Sequence, residues 1–221
     1  MNRRTSTLVF LVVAAVLLGA VTLAGWLVQE PAMASDFSQK NLAPSFSHLF
    51  GTDWMGRDML CRTLAGLSLS IRIGLLTALV SACIALTLGV LSAMFGGWVD
   101  AVVSWWIDLV MGIPHILLVI LLSLACGKGF LGVVVGVSLS HWTSLARVIR
   151  GEVLQVKQAP YLLVAEKLGV SPWKRVRLHL FPHLLPQFIT GLILLFPHAI
   201  LHEASVTFLG LASLRSSLPS G

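Results

Sequence analysis

Two histidines near the end of the sequence have the spacing of a metal-binding or transport-path pair. His198 and His202 are four positions apart in an apolar stretch, so on a helix their side chains lie on one face. Two histidines at that separation can bind one metal ion, and Glu203 adds a carboxylate nearby. Ionisable side chains in apolar spans usually face a bundle interior or a solute pathway. The alternative is that both histidines only hydrogen-bond a neighbouring helix.

The other histidines and motifs indicate little further chemistry. His179 and His183 are also four positions apart, but they flank Pro182 in a basic segment, where we expect polar surface residues. No role is predicted for His48 or His115. The sequence contains no nucleophile–base grouping, no H-E-x-x-H and no G-x-x-x-x-G-K-[ST]. We therefore expect no catalytic residue, no bound cofactor and no ATP site on this chain.

The composition is that of a membrane protein. Hydrophobic residues make up 57% of the chain and charged residues 11%, and the mean hydropathy is +0.91. Soluble domains carry about 25% charged residues, so this composition predicts an all-α polytopic protein surrounded by a lipid bilayer. The net charge is +6, but Lys and Arg lie between apolar runs, as the positive-inside rule predicts. A nucleic-acid partner would require them to cluster on a soluble face, so none is expected.

Five apolar stretches are long enough to cross a membrane as helices. They are residues 8–28, 73–95, 106–126, 129–146 and 186–209. The first exceeds the roughly 7–15 residues of a signal-peptide core, so we interpret it as an uncleaved anchor. The chain then divides into residues 1–28 (N-terminal tip and first transmembrane helix), 29–72 (an extracytoplasmic segment ending in an amphipathic helix) and 73–209 (a membrane core).

A basic segment predicts the topology. In residues 147–185, Lys and Arg outnumber Glu, which places this connection in the cytoplasm. Counting spans backwards puts the N-terminus, with its arginines, in the cytoplasm of a bacterial inner membrane as well. Within the segment, Gly169 is expected to end one short helix. Ser171 is expected to cap a second short helix, with Pro172 at its first position.

The same segment resembles the EAA loop of binding-protein-dependent ABC importer permeases. In that loop a short Ala-rich helix is followed by Gly and, thirteen residues later, by Pro, and Gly169 and Pro182 keep this spacing. Ala165 is retained, whereas Leu163 stands in place of the usual Glu and Val164 in place of the first Ala. The resemblance implies that these five residues belong to a loop that couples the permease to an ATPase.

Further segments resemble the dipeptide, oligopeptide and nickel permease subfamily. Phe50 to Asp58 is similar to its F-G-T-D-x-x-G-R-D segment. Residues 96–100, 146–152 and 208–210 also resemble signatures of this subfamily. The resemblance extends from residue 8 to 210, and it implies that residues 73–209 are a permease core. It implies an importer with a second permease subunit, two cytoplasmic ATPase subunits that bind ATP, and an external solute-binding protein.

The resemblance also implies a substrate class. The pair His198 and His202, together with Ser140-His141-Trp142, is similar to nickel permeases, so nickel or a metal chelate is the expected substrate. A di- or oligopeptide substrate is the alternative.

Residues 210–221 do not continue as the subfamily does. The subfamily has a Pro-rich segment and a sixth span beyond F-L-G-L, whereas this tail has no apolar span. A change of reading frame near codon 211 is the hypothesis that predicts such a tail. The chain would then be a C-terminally truncated, non-transporting permease product. A natural short variant or a trimmed sequence is the alternative.

Overall fold

The computed structural model describes residues 3–127 and 129–209, and it is built from α-helices. Among these residues, four helices are long and apolar enough to cross a membrane, and a bent pair raises the number to five. The prediction of an all-α polytopic membrane protein is therefore confirmed. The chain divides into two compact units, with the boundary between Arg72 and Ile73. The frameshift hypothesis concerns residues 210–221, which lie outside the described residues.

The helices are numbered in chain order. They are α1 (Arg3–Leu27), α2 (Gln29–Met33), α3 (Met59–Phe95), α4 (Gly97–Gly112), α5 (His115–Ala125), α6 (Phe130–Lys157), α7 (Pro160–Lys167), α8 (Pro172–Arg175) and α9 (Phe181–Phe208). A short 3-10 turn (Phe37–Gln39) follows α2, and a π-type turn (Val176–Leu180) joins α8 to α9.

In the first unit, the segment 50–58 folds into a closed turn around Asp53. The carboxylate of Asp53 accepts hydrogen bonds from the backbone N–H and the guanidinium of Arg57, at 3.0 and 2.9 Å, and from Arg62 at 2.5 Å. Gly56 has a φ of +75°, and a Cβ there would collide with the backbone of Asp36. The charges and glycines of this motif thus build a compact turn just before a membrane helix.

Helix α3 begins at Met59, well before the expected start of this span at residue 73. Asp58 caps it, because its Oδ1 accepts the backbone N–H groups of Leu60 and Cys61 at 2.8 and 3.0 Å. The polar residues that follow do not end the helix, since helix continuity depends on backbone bonding and capping rather than on hydropathy. Arg72, for example, donates from Nε to the carbonyl of Ser68, one turn earlier.

The expected span 106–126 is not one continuous helix, because two helices meet there at a bend of 101°. Helix α4 ends at Gly112, and α5 begins at His115. The break lies at Pro114, which has no N–H to donate and excludes helical geometry from the residue before it. Ile113 accordingly adopts an extended conformation, with φ −90° and ψ 135°.

Helix α6 packs closely on α5 through two glycines spaced as G-x-x-x-G. A Cβ on Gly136 would lie 2.5 Å from Oγ of Ser123 and 2.9 Å from the carbonyl oxygen of Val119, and a Cβ on Gly132 would collide with the backbone carbonyl of Gly127. Small residues at this spacing allow helix backbones to approach each other. The close packing that the motif permits is therefore present.

The polar connection 147–185 contains more helix than expected. Helix α6 continues to Lys157, and α7 ends at Lys167 just before Gly169, which has a φ of +76°. The expected end of a short helix at Gly169 is confirmed.

Two expectations for the rest of this connection are wrong. Pro172 starts α8 as expected, but the side chain of Ser171 makes no capping hydrogen bond. The second short helix is not separate either, because α8, the π-type turn and α9 form one span from Pro172 to Phe208. Pro182 therefore lies in a helix and not in a loop. The Phe181 N–H bonds the carbonyl of Val176, a π-type bond, in the turn just before the proline, where the helix lacks one donor.

Candidate functional site

Three helices of the second unit bring three imidazole rings together. His115 is the first residue of α5, His141 lies in the middle of α6, and His202 lies near the end of α9. The ring centroid of His115 lies 4.5 Å from the centroid of each of the other two rings, and the centroids of His141 and His202 are 4.9 Å apart. One nitrogen of each ring lies within 4.8 Å of the others. We call these three residues the histidine cluster.

Local sequence features place each of the three rings. The break at Pro114 makes His115 the first residue of a new helix, with its ring at the α5 N-terminus. The glycines of α6 bring that helix onto α5, as described above, and His141 follows on α6. Gly191 on α9 allows that helix to pack closely on α6. A Cβ at this position would lie only 2.4 to 3.2 Å from side-chain carbons of Leu145 on α6.

Hydrogen bonds determine which imidazole nitrogens are free. Nδ1 of His141 lies 3.0 Å from the carbonyl oxygen of Val137, and this acceptor requires a proton on Nδ1. Nε2 of His141 is then an unprotonated nitrogen in the neutral ring. Nε2 of His115 is buried and has no hydrogen-bond partner among the residues that the structure describes. The cluster thus offers imidazole lone pairs, which are ligands suited to zinc, copper, iron and nickel.

A cavity of about 670 Å³ opens beside the cluster within the second unit. It is lined by the ends of α4 and α5, by α6 and by α9, and two of the three clustered histidines border it. Its polar lining residues are His115, Ser140, His141, Thr143, Ser144, Gln187, Thr190 and His198. A space of this size with scattered hydroxyl, amide and imidazole groups can admit a small polar solute.

The two histidines singled out by spacing make different contacts. His202 belongs to the cluster, whereas His198 borders the cavity and uses its Nδ1 to contact the carbonyl oxygen of Leu194 at 2.8 Å. The rings that His202 contacts are therefore those of His115 and His141. Glu203 is buried and accepts a hydrogen bond from the hydroxyl of Thr207 on the same helix at 2.7 Å.

Reasoning from spacing missed His115 as a functional residue, and it identified His141 only through a family resemblance. No periodicity connects residues on three different helices. One local signal for His115 existed, because Pro114 precedes it and predicts the start of a helix there.

The residues of the predicted coupling loop lie on α7 and beyond it. Leu163 and Val164 are exposed on α7, and Ala165 is partly exposed beside them. Gly169 follows in the turn to α8, and a Cβ at Gly169 would meet nothing within 4 Å. Leu162 alone of the α7 residues is buried, and Glu166 of α7 pairs with Arg175 at 2.7 Å, whereas Leu163 and Val164 are exposed. Pro182 lies apart from this group, in α9.

Comparisons with known proteins agree with this architecture. Residues 85–218 match the family of binding-protein-dependent transport system inner membrane components. The dipeptide transport system permease protein DppC of Bacillus subtilis is 34% identical over 79% of this chain and 54% of its own length. The glutathione transport system permease protein GsiD of Pectobacterium atrosepticum is 34% identical over 80% of this chain and 59% of its own length.

A third relative extends the match further along the chain. The probable D,D-dipeptide transport system permease protein DdpC of Escherichia coli is 32% identical over 89% of this chain and 66% of its own length. The chain thus spans between about half and two thirds of the length of these curated relatives. It is a multi-pass inner-membrane protein, and it belongs to the family of inner membrane components of binding-protein-dependent transport systems.

Proposed function

We propose that this chain is a permease subunit of an ABC importer for small peptides. The observation that carries the proposal is the family match over residues 85–218, together with relatives named as dipeptide and glutathione permeases. The cavity of about 670 Å³ between α4, α5, α6 and α9 is of a size that suits a di- or tripeptide. Its hydroxyl, amide and imidazole groups are suitable hydrogen-bond partners for peptide amides and termini.

The relatives favour the peptide alternative over the expected nickel substrate, because their names specify dipeptides and glutathione. Nickel or a metal chelate remains a second candidate for one reason, which is the histidine cluster at the edge of the cavity. Both candidates require the same architecture. They differ in which solute the cavity accepts.

The proposal includes partners that supply energy and deliver the solute. A second permease subunit would complete the pathway, an external solute-binding protein would load it, and two cytoplasmic ATPase subunits would hydrolyse ATP. The proposed contact with an ATPase is α7 and the turn after it. Here and at the start of α8, Leu163, Val164, Leu168 and Trp173 expose 48%, 56%, 77% and 65% of their surfaces. Apolar side chains as exposed as these suit a groove on a partner.

This assignment also sets an orientation. The basic segment 147–185 and the N-terminus would lie in the cytoplasm, and residues 29–72 would lie on the outer face. Closure of the ATPase subunits would then move α7, and α6 and α9 would transmit the movement to the cavity.

Uptake measurements in the source bacterium test the function. We expect deletion of the gene for this chain to lower uptake of a radiolabelled dipeptide and to leave uptake of radiolabelled nickel unchanged. Expression of the chain from a plasmid should restore dipeptide uptake. Loss of nickel uptake alone would support the second candidate instead. Unchanged uptake of dipeptide, glutathione and nickel in the deletion strain would contradict the proposal for both solutes.

A further inference from the structure

We propose that His115, His141 and His202 form a binding site for one divalent transition-metal ion, of the class of zinc and nickel. One nitrogen from each ring already lies within 4.8 Å of the others, and all three residues are at least partly buried. The three ligands come from α5, α6 and α9, so a bound ion would connect three helices around the cavity. Metal binding at this site can be tested on the chain alone, without a transport measurement.

The spacing of the nitrogens suits coordination after a small adjustment. Imidazole nitrogens bind zinc at about 2.0–2.1 Å, which puts two of them about 3.3 Å apart on a tetrahedral ion. The widest separation in the cluster is 4.8 Å, so the rings must close by about 1.5 Å at most. Rotation about the soft torsion between Cβ and the ring supplies movements of this kind without moving a helix.

Hydrogen bonding prepares two of the ligands. The carbonyl of Val137 holds the proton of His141 on Nδ1 and leaves Nε2 with a free lone pair. Metal-bound histidines usually donate their other N–H to a carbonyl or carboxylate in this way. Nε2 of His115 is buried, and within residues 3–127 and 129–209 it has no hydrogen-bond partner. An unsatisfied buried polar atom costs free energy. In the proposed site this Nε2 is the ligand atom of His115, and the bound ion would satisfy it.

The donor set selects the kind of ion. Three neutral imidazoles without a carboxylate suit zinc, nickel or copper, whereas magnesium and calcium require oxygen ligands. The cavity provides access, because His115 and His141 border it. A fourth coordination position can therefore face the cavity and accept water or a polar solute. His183 is exposed and lies outside both the cluster and the cavity lining, which makes it a control.

Metal binding by the purified chain tests the site. The full chain, carrying a purification tag without histidines, would be dialysed in detergent against Ni²⁺ or Zn²⁺ and the bound metal measured by mass spectrometry. We expect about one equivalent of either ion and no retained Mg²⁺. Replacement of His115, His141 or His202 by Gln should weaken binding on the order of 10- to 100-fold or more, since loss of outer-sphere partners alone costs that much. The exposed His183→Gln should retain full binding.

A cysteine variant makes the test independent of folding defects. His202→Cys should still bind Co²⁺, and it should add a thiolate-to-cobalt charge-transfer band in the near-ultraviolet spectrum that the original chain lacks. Helix content and elution from a sizing column serve as folding controls for every variant. Metal binding that persists when all three clustered histidines are Gln, or that disappears equally in His183→Gln, would overturn the proposal.

Discussion

The guanidinium of Arg150 forms a two-pronged ion pair with the carboxylate of Asp100. Its Nε and Nη2 atoms lie 2.5 and 2.6 Å from the two carboxylate oxygens. The residues are 50 positions apart, on α6 and α4, and the hydroxyl of Ser92 on α3 also donates to Asp100. Nearby, the ammonium of Lys157 donates to the carbonyls of Ala93 and Met94 at the end of α3. These contacts connect α3, α4 and α6 at one end of the second unit.

Replacement of Arg150 should destabilise the second unit. Arg150→Met removes the charge and leaves the Asp100 carboxylate without its main partner, and the pair is roughly 70% buried, with side-chain exposures of 30% and 27%. We expect a loss on the order of 2 kcal/mol, between the values of surface and buried pairs. Arg147→Met is the matched control, because its pair with Asp108 is exposed at 53% and 72%. Thermal unfolding in detergent measures both, and equal shifts of the two variants would contradict the expectation.

The glycine contact between α5 and α6 should tolerate no added carbon. Gly136→Ala places a Cβ 2.5 Å from Oγ of Ser123, so the helices must separate at a cost of about 1–3 kcal/mol. Gly151→Ala on the same helix meets nothing within 4 Å and should be neutral or stabilising, since Ala is the better helix former. Unfolding midpoints in detergent compare the two. A Gly136→Ala variant as stable as the original chain would show that this packing contributes little.

The turn after α7 should depend on the left-handed backbone of Gly169, whose φ is +76°. Gly169→Val should distort the turn and lower association with the ATPase subunits, because a β-branched residue is strongly disfavoured at positive φ. Asn tolerates this conformation, so Gly169→Asn should assemble normally. Co-purification of the ATPase subunits with each variant is the measurement, with membrane insertion as the control. Normal assembly of the valine variant would exclude a role for this turn in docking.

Acidification should loosen the turn around Asp53 in the first unit. Burial raises the pKa of Asp53, but hydrogen bonds from the Arg57 backbone, the Arg57 side chain and Met55, together with the Arg57 charge, outweigh it and hold the pKa well below the usual range. The pKa of Asp58 is lowered as well, because bonds from Cys61, His48 and Leu60 outweigh its burial.

These lowered pKa values give the direction of the pH effect. Carboxyl groups of the unfolded chain titrate near pH 4, so both groups stabilise the turn above that value and lose this contribution as the pH falls through their lower folded values. Hydrogen exchange of residues 36–58, corrected for its intrinsic pH dependence, should therefore accelerate between pH 5 and pH 2. In Asp53→Asn the exchange should be fast already at pH 7. Exchange that is unchanged at pH 2 would contradict the assignment.

The proposed orientation predicts which residues face outwards. In a chain with Cys61, Cys83 and Cys126 replaced by Ala, a membrane-impermeant thiol reagent added to spheroplasts should modify a cysteine at Ser45. The same reagent should leave a cysteine at Ser171 unmodified until the membrane is opened. The reverse pattern would invert the topology, because the basic segment would then lie outside.

Much of the architecture was determined by features that are local in the sequence. Apolar runs long enough to span a bilayer indicated the membrane fold, since hydrocarbon excludes unpaired backbone groups and so requires helices. Gly169 marked the end of α7, because a positive φ favours glycine. The segment 50–58 was recognised as a motif, although its role as a closed turn and helix cap became clear only from the contacts of Asp53 and Asp58. Pro114 indicates the break between α4 and α5. Hydropathy alone does not show this break, because apolar residues lie on both sides of the proline.

The histidine cluster was decided by the tertiary structure alone. The spacing of His198 and His202 correctly indicated one helix face, but it could not show which residues of other helices that face meets. His115 and His141 join His202 because a proline places one ring at a helix start and small residues on α6 and α9 let three helices approach each other. The Asp100–Arg150 pair has the same origin. Contacts between distant segments depend on the packing of all the helices together, and no periodicity within one segment encodes that packing.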